Sequence, residues 1–118
     1  MLWREPENGL IDFLGEEGIG CIAFSPLAQG MLTNKYAAGI PQGSRAAREN
    51  TTLRFENFPP DTFEKIREYA AEAEKRGISL AQLAISWVLR DARITSVLVG
   101  ASSVAQLKEN IDALSHPY

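Results

Sequence analysis

One cysteine and one histidine among 118 residues leave little material for redox or metal chemistry. The single thiol, Cys21, excludes an internal disulfide. It lies in the apolar run Gly20–Phe24 and is expected as a small buried residue rather than a nucleophile. His116 stands beside Pro117, with no second histidine or cysteine at ligand spacing, so no metal site is expected. The chain has no G-x-G-x-x-G fingerprint and no Walker loop, and Ser25 is not set in a G-x-S-x-G elbow, which leaves nucleophilic hydrolysis without support. No apolar run approaches the ~20 residues of a membrane span. The start, Met1-Leu2-Trp3-Arg4-Glu5-Pro6, lacks the apolar core of a signal peptide, and a cytoplasmic location is the resulting expectation. A formal net charge of −3 argues against non-specific nucleic-acid binding.

What remains is an ordinary globular composition, 45% hydrophobic and 23% charged, at about the length of one domain. Asn8-Gly9 can open a short helix with Leu10, Phe13 and Leu14 on one face, closed by Gly18 and Gly20. Cys21-Ile22-Ala23-Phe24 is continuously apolar, as expected of a strand covered on both faces, and Pro26 stops it. Residues 29–60 are rich in Gly, Pro, Asn and Arg and lack periodicity, so they read as a long functional or disordered connection. Asp61 with Glu64 forms a D-x-x-E capping signature for a helix bearing Phe63, Ile66, Ala70 and Ala73 on its apolar stripe. Glu72 and Arg76 pair on its wet side, and Gly77 is its stop. Ser79 with Gln82 caps the next helix, whose Leu80, Leu83, Ala84, Trp87 and Val88 follow amphipathic spacing. A strand over Ser96–Val99 ends at Gly100, and Ser103 with Gln106 opens a last helix burying Val104, Leu107, Ile111 and Leu114.

The order helix, strand, loop, two helices, strand, helix means α/β with parallel strands. Two strands are too few for a stable parallel sheet covered on both faces, so the chain reads as part of something larger.

In α/β folds, ligands gather at the C-terminal ends of parallel strands. Here those ends are Ser25-Pro26-Leu27-Ala28-Gln29-Gly30 and Gly100-Ala101-Ser102-Ser103. Their hydroxyls and backbone N–H groups are anion donors, and the helix after Ser103 adds the positive end of its dipole. Gln106, Glu109 and Asn110 share one helix face and offer donors and acceptors to an amino-bearing ring such as adenine. Lys35, Arg45 and Arg48 can reach an extra phosphate, and an Arg plane can stack on the base. The bland alternatives stand beside these: Ser103 and Gln106 also suit a plain capping box, and the charged stretch Ser44–Arg48 also suits a solvated loop.

The segments IAFSPLAQGMLTNKY, GIPQGSR, LAISWVLRD and ITSVLVGASSVAQLKENIDAL together resemble the C-terminal part of the aldo-keto reductases, in particular bacterial reductases similar to potassium-channel β subunits. The resemblance covers nearly all of residues 1–118. It implies a partial (β/α)8 TIM barrel, about its last two βα units, truncated at both ends, and NADP(H) as cofactor. On that resemblance Phe24, Ser25, Pro26 and Leu27 line the nicotinamide ribose and pyrophosphate, and Gly30 allows the turn beside them. Lys35 and Arg45 match the basic pair near the adenosine phosphate, with Arg45 also stacking on adenine. Gly100, Ser102 and Gln106 match the 2′-phosphate and ribose contacts, and Glu109 and Asn110 hold the adenine edge.

Such reductases use a Tyr acid supported by Lys, Asp and His from earlier strands. None of these matches a position here, and Tyr36, Tyr69 and Tyr118 fall elsewhere. Met1 therefore reads as an internal methionine or the first left in a shortened frame, and the final helices expected after Tyr118 are missing. The implied function is the NADP(H)-binding part of an enzyme that reduces small-molecule aldehydes or ketones, inactive alone. A regulatory cofactor-binding protein similar to a channel β subunit, and a decayed gene product, are the alternatives. On its own the chain is expected to be marginally folded or to aggregate, because two strands leave edges and the faces of Phe24 and Val97–Val99 open.

Overall fold

The computed structural model describes residues 1–33, 42 and 58–118. Among these, the elements run in the expected order: α1 (Leu10–Glu16), β1 (Cys21–Phe24), α2 (Thr62–Lys75), α3 (Leu80–Leu89), β2 (Ile94–Leu98) and α4 (Val104–Asp112). Single 3-10 turns lie at Glu5–Glu7, Ala28–Gly30 and Ala113–Ser115. β1 and β2 pair in parallel, with Ile22 opposite Ser96 and Phe24 opposite Leu98. The α/β reading therefore holds as a two-stranded parallel sheet with helices. β2 begins two residues before the expected Ser96 and ends one before Val99.

Helix ends explain much of this local structure. α1 and α2 each finish in a left-handed glycine, Gly18 (φ 67°) and Gly77 (φ 69°). The next N–H reaches back five residues, Ile19 to Leu14 O at 2.8 Å and Ile78 to Ala73 O at 3.0 Å, the bond that defines a Schellman end. At the start of α3 the Ser79 hydroxyl accepts from Gln82 N at 3.2 Å, and the Gln82 amide oxygen accepts from Ser79 N at 2.8 Å. Both halves of the capping box are present, an arrangement that contributes about 1 kcal/mol. Asp61 behaves differently from its sequence signature. It makes no cap hydrogen bond, because its carboxylate is drawn 2.7 Å from Lys65 Nζ one turn along. The expected Glu72–Arg76 pair is present at 3.7 Å.

The core joins Met1, Leu32, Ala73, Leu80, Leu83 and Ala84, with Ile66, Tyr69 and Trp87 packed at its margin. α3 is buried over seven consecutive residues, Leu80 to Ser86, instead of along one stripe. It is wedged against α2, β2 and α4, and a helix with neighbours on several sides has no wet face to keep polar. Trp87 is held between guanidinium groups, Arg90 at 3.5 Å and Arg4 at 5.4 Å from the ring centre. Glu7 accepts from both arginines, which pins the N-terminal segment to α3. Just before β2, Arg93 donates to Asp91 at 2.7 Å and also to Asp12 of α1.

Several expected burials are not found. α4 buries Asn110, and the following turn buries Ala113, while Val104, Leu107, Ile111 and Leu114 are exposed. α1 buries Ile11, leaving Leu10 and Phe13 exposed. Phe63 is more exposed than its place on the α2 stripe suggests. Neither strand is covered on both faces: Cys21, Ala23, Ile94 and Val97 are half-buried, whereas Phe24 is 72% and Leu98 60% exposed. One physical reason covers these cases. These elements carry more apolar surface than their neighbours among the described residues cover. Cys21, expected buried, is accordingly half-buried.

Candidate functional site

The C-terminal ends of β1 and β2 and the N-terminal ends of α3 and α4 open onto one cleft of about 960 Å³. The convergence follows from topology. The crossover helix α3 leads into the start of β2, so its own start returns to the end of the sheet where β1 stops.

The β1 side is built by Phe24, Ser25, Pro26, Leu27 and Gly30, all lining the cleft. The backbone here turns sharply. Ser25 (φ 53°), Ala28 (φ 46°) and Gln29 (φ 59°) all occupy the left-handed region. Each such non-glycine residue costs on the order of 1–3 kcal/mol, and Ser25 is further restricted by the proline that follows it. The turn is kept by its own hydrogen bonds: Ala28 N to Ser25 O at 3.0 Å, Gly30 N to Leu27 O at 2.9 Å and Leu32 N to Leu27 O at 3.1 Å. Strain of this kind, held in place by surrounding structure, concentrates at ligand sites.

The β2 side is built by Gly100, Ser102, Gln106, Glu109 and Asn110, which line the same cleft. Ser103 is the N-cap of α4, its hydroxyl accepting from Gln106 N at 3.2 Å. The Gln106 amide oxygen reaches past the cap to Ser102, accepting from its N–H at 2.8 Å and its hydroxyl at 2.9 Å. Of the two readings of Ser103 and Gln106, the capping one is realised in this shifted form. The Gln106 amide nitrogen, the donor end, takes no part in those bonds.

Asn110 differs from its neighbours. It is only 5% exposed, and its Nδ2 is buried with no hydrogen-bond partner among the described residues. A buried amide donor left unpaired costs about 1–3 kcal/mol. In a cleft wall such a donor can be satisfied by an acceptor from water, an ion or a bound molecule.

Glu109 is the one charged side chain among the described lining residues. The groups of the described wall that can favour an anion are therefore serine hydroxyls, loop N–H groups and the starts of α3 and α4. Lys35, Arg45 and Arg48, the cationic candidates, lie outside the described residues. Sequence reasoning missed Ser79, Leu80 and Ala81, which line the cleft at the start of α3. The Ser79–Gln82 capping signature carried that signal, since it marks where a crossover helix begins. His116 is not isolated, for its Nε2 lies 3.2 Å from Asp112 Oδ2. No cluster of metal-ligating side chains occurs among the described residues, and no described helix is long and apolar enough to cross a membrane.

The sequence profile described as the Aldo/keto reductase family matches residues 1–118. The chain is 48% identical over 113 residues to L-glyceraldehyde 3-phosphate reductase of Escherichia coli (strain K12), covering 93% of this chain and 33% of that protein. It is 40% identical over 110 residues to a probable voltage-gated potassium channel subunit beta of Oryza sativa subsp. japonica, covering 92% and 34% respectively. A putative subunit of the same description from Schizosaccharomyces pombe is 35% identical over 111 residues, covering 92% and 32%. The chain thus spans about a third of the length of these relatives.

Proposed function

The chain belongs to the aldo/keto reductase family, and from that premise we propose that it is the NADP(H)-binding part of a carbonyl reductase barrel. The observation that carries this reading is the Asn110 amide, buried without a partner among the described residues, in the wall of a cleft made by two strand ends and two helix starts. The donor set suits a dinucleotide phosphate: hydroxyls, backbone N–H groups and helix termini for phosphates, and Glu109 with Asn110 as an acceptor–donor pair for the adenine edge.

In this proposal Phe24, Ser25, Pro26 and Leu27 hold the nicotinamide ribose and pyrophosphate, and Gly100, Ser102 and Gln106 hold the ribose and 2′-phosphate. Lys35 and Arg45 add the positive charge that the described wall lacks. When bound, the cofactor supplies a hydride to the carbonyl carbon of an aldehyde or ketone. The chain's own residues bind and orient; the described cleft lining contains no Tyr, Lys or His to protonate the carbonyl oxygen, in keeping with a part that is inactive alone. The remaining strands of a (β/α)8 barrel would cover the exposed sheet face at Phe24 and Leu98 and bring the proton donor.

A second reading, a regulatory cofactor-binding protein, is favoured by the relatives described as channel β subunits. Both readings require NADP(H) binding and differ in turnover. Fluorescence titration of the folded chain with NADPH is the test, followed by an assay for NADPH oxidation with L-glyceraldehyde 3-phosphate. Saturable binding without oxidation is expected. Absence of binding by a chain shown to be folded overturns the cofactor assignment, and oxidation by the chain overturns its inactivity.

A further inference from the structure

We infer that Gln82 is a positioning residue for the cleft, a clamp that fixes the start of α3 against α4; its effect on cofactor affinity rests on the NADP(H) reading above. Gln82 is 9% exposed and does not itself line the cleft. Both ends of its amide are committed. The oxygen accepts from Ser79 N at 2.8 Å, and the nitrogen donates to Asp112 Oδ2 at 2.8 Å, thirty residues away. The first bond holds the turn that presents Ser79, Leu80 and Ala81 to the cleft. The second holds α4 two residues beyond Asn110. One side chain therefore links the start of α3 to α4, two of the elements that wall the cleft.

The contrast with Asn110 sharpens the assignment. Two buried amides lie on the facing helices α3 and α4. Gln82 is satisfied at both ends inside the protein, whereas Asn110 Nδ2 has no partner among the described residues. The first is built to hold geometry and the second is free to bind. Asp112 Oδ2 also lies 3.2 Å from His116 Nε2, so the clamp extends to the C-terminal segment.

Gln82→Glu isolates the clamp, because a carboxylate still accepts from Ser79 N but faces the Asp112 carboxylate without a donor. The double variant Gln82→Glu/Asp112→Asn restores a donor–acceptor pair with its direction reversed. Two readouts are taken in each protein: the NADPH dissociation constant, and the 15N-resolved amide resonances of Leu80, Ala81 and the Asn110 side chain. Gln82→Glu is expected to weaken NADPH about fivefold, the equivalent of one lost hydrogen bond. It should displace those three resonances, and the double variant should restore both readouts, the rescue that a merely structural role would not give. Unchanged affinity in folded Gln82→Glu, or no rescue in the double variant, overturns the inference. Should the folded parent chain fail to bind NADPH, the cofactor reading is lost and the resonances decide alone: displaced and restored they support the clamp, unmoved they overturn it. If Gln82→Glu does not fold, Asp112→Ala, at an exposed side chain, takes its place. Moved Leu80 and Asn110 resonances then support the clamp, and unmoved ones refute it.

Discussion

A methyl group on Gly20 would lie 2.9 Å from the Thr95 hydroxyl oxygen, inside any tolerated contact. That hydroxyl is not free to swing away, because it accepts a hydrogen bond from Cys21 N at 3.1 Å. The glycine thus lets the entry to β1 lie against β2 while Thr95 caps the unpaired strand N–H. Gly20→Ala is expected to cost about 1–3 kcal/mol through overpacking and loss of that bond. In Thr95→Ala, where the obstruction is gone, adding Gly20→Ala should cost under half as much. Urea unfolding of the four proteins checks this, and equal costs in both backgrounds would show that the contact is irrelevant.

Two helix starts that look alike in sequence should differ in energy. Ser79→Ala breaks a complete capping box and is expected to lower stability by about 1 kcal/mol. Asp61→Ala removes an exposed ion pair and no cap bond, so a change within about 0.5 kcal/mol is expected. Denaturant midpoints of the two variants decide; a larger loss at Asp61 would mean that its carboxylate caps α2 after all.

Acid should act through Asp91. Hydrogen bonds from the Arg93 side chain and backbone N–H hold its carboxyl well below the usual carboxylate range. A depressed acid stabilises the fold above its unfolded value, near pH 4, and that contribution fades as pH falls toward the folded value. The stability gap between the parent and Asp91→Asn should therefore be constant from pH 5 to 7 and narrow below pH 4. A gap that widens on acidification would reverse the sign of the argument.

Solubility should respond to the outer face of α4. Val104 and Leu114 are each 70% exposed, and with Leu107 and Ile111 they form an apolar strip in water. Val104→Lys with Leu114→Glu is expected to raise the concentration at which light scattering begins, and to shift stability by no more than about 0.5 kcal/mol per site. Loss of folded structure in this variant would show that the strip is packed.

Element order, both Schellman ends and the Ser79–Gln82 box were legible in the sequence, because each depends on a few adjacent residues. So were the two strand ends: of the twelve cofactor candidates, the ten among the described residues line one cleft, while Lys35 and Arg45 lie outside them. Burial was not legible. The periodicity of Leu107 and Ile111 announces an apolar face but not whether anything covers it, and on α4 the covered residue is Asn110. Asp61 was misread because Lys65, one turn away, competes for its carboxylate. The left-handed turns at Ser25, Ala28 and Gln29 had no sequence signal, since none of these residues prefers that conformation.

Asn110 offers the most direct test of the cofactor site. If its unpartnered amide is kept for a ligand, Asn110→Ala should leave the thermal midpoint unchanged or higher, since a buried unpaired donor is removed, while NADPH affinity falls about tenfold. Thermal unfolding and NADPH titration on the same two samples provide both numbers. A variant that loses stability and binds NADPH as tightly as the parent would contradict the account.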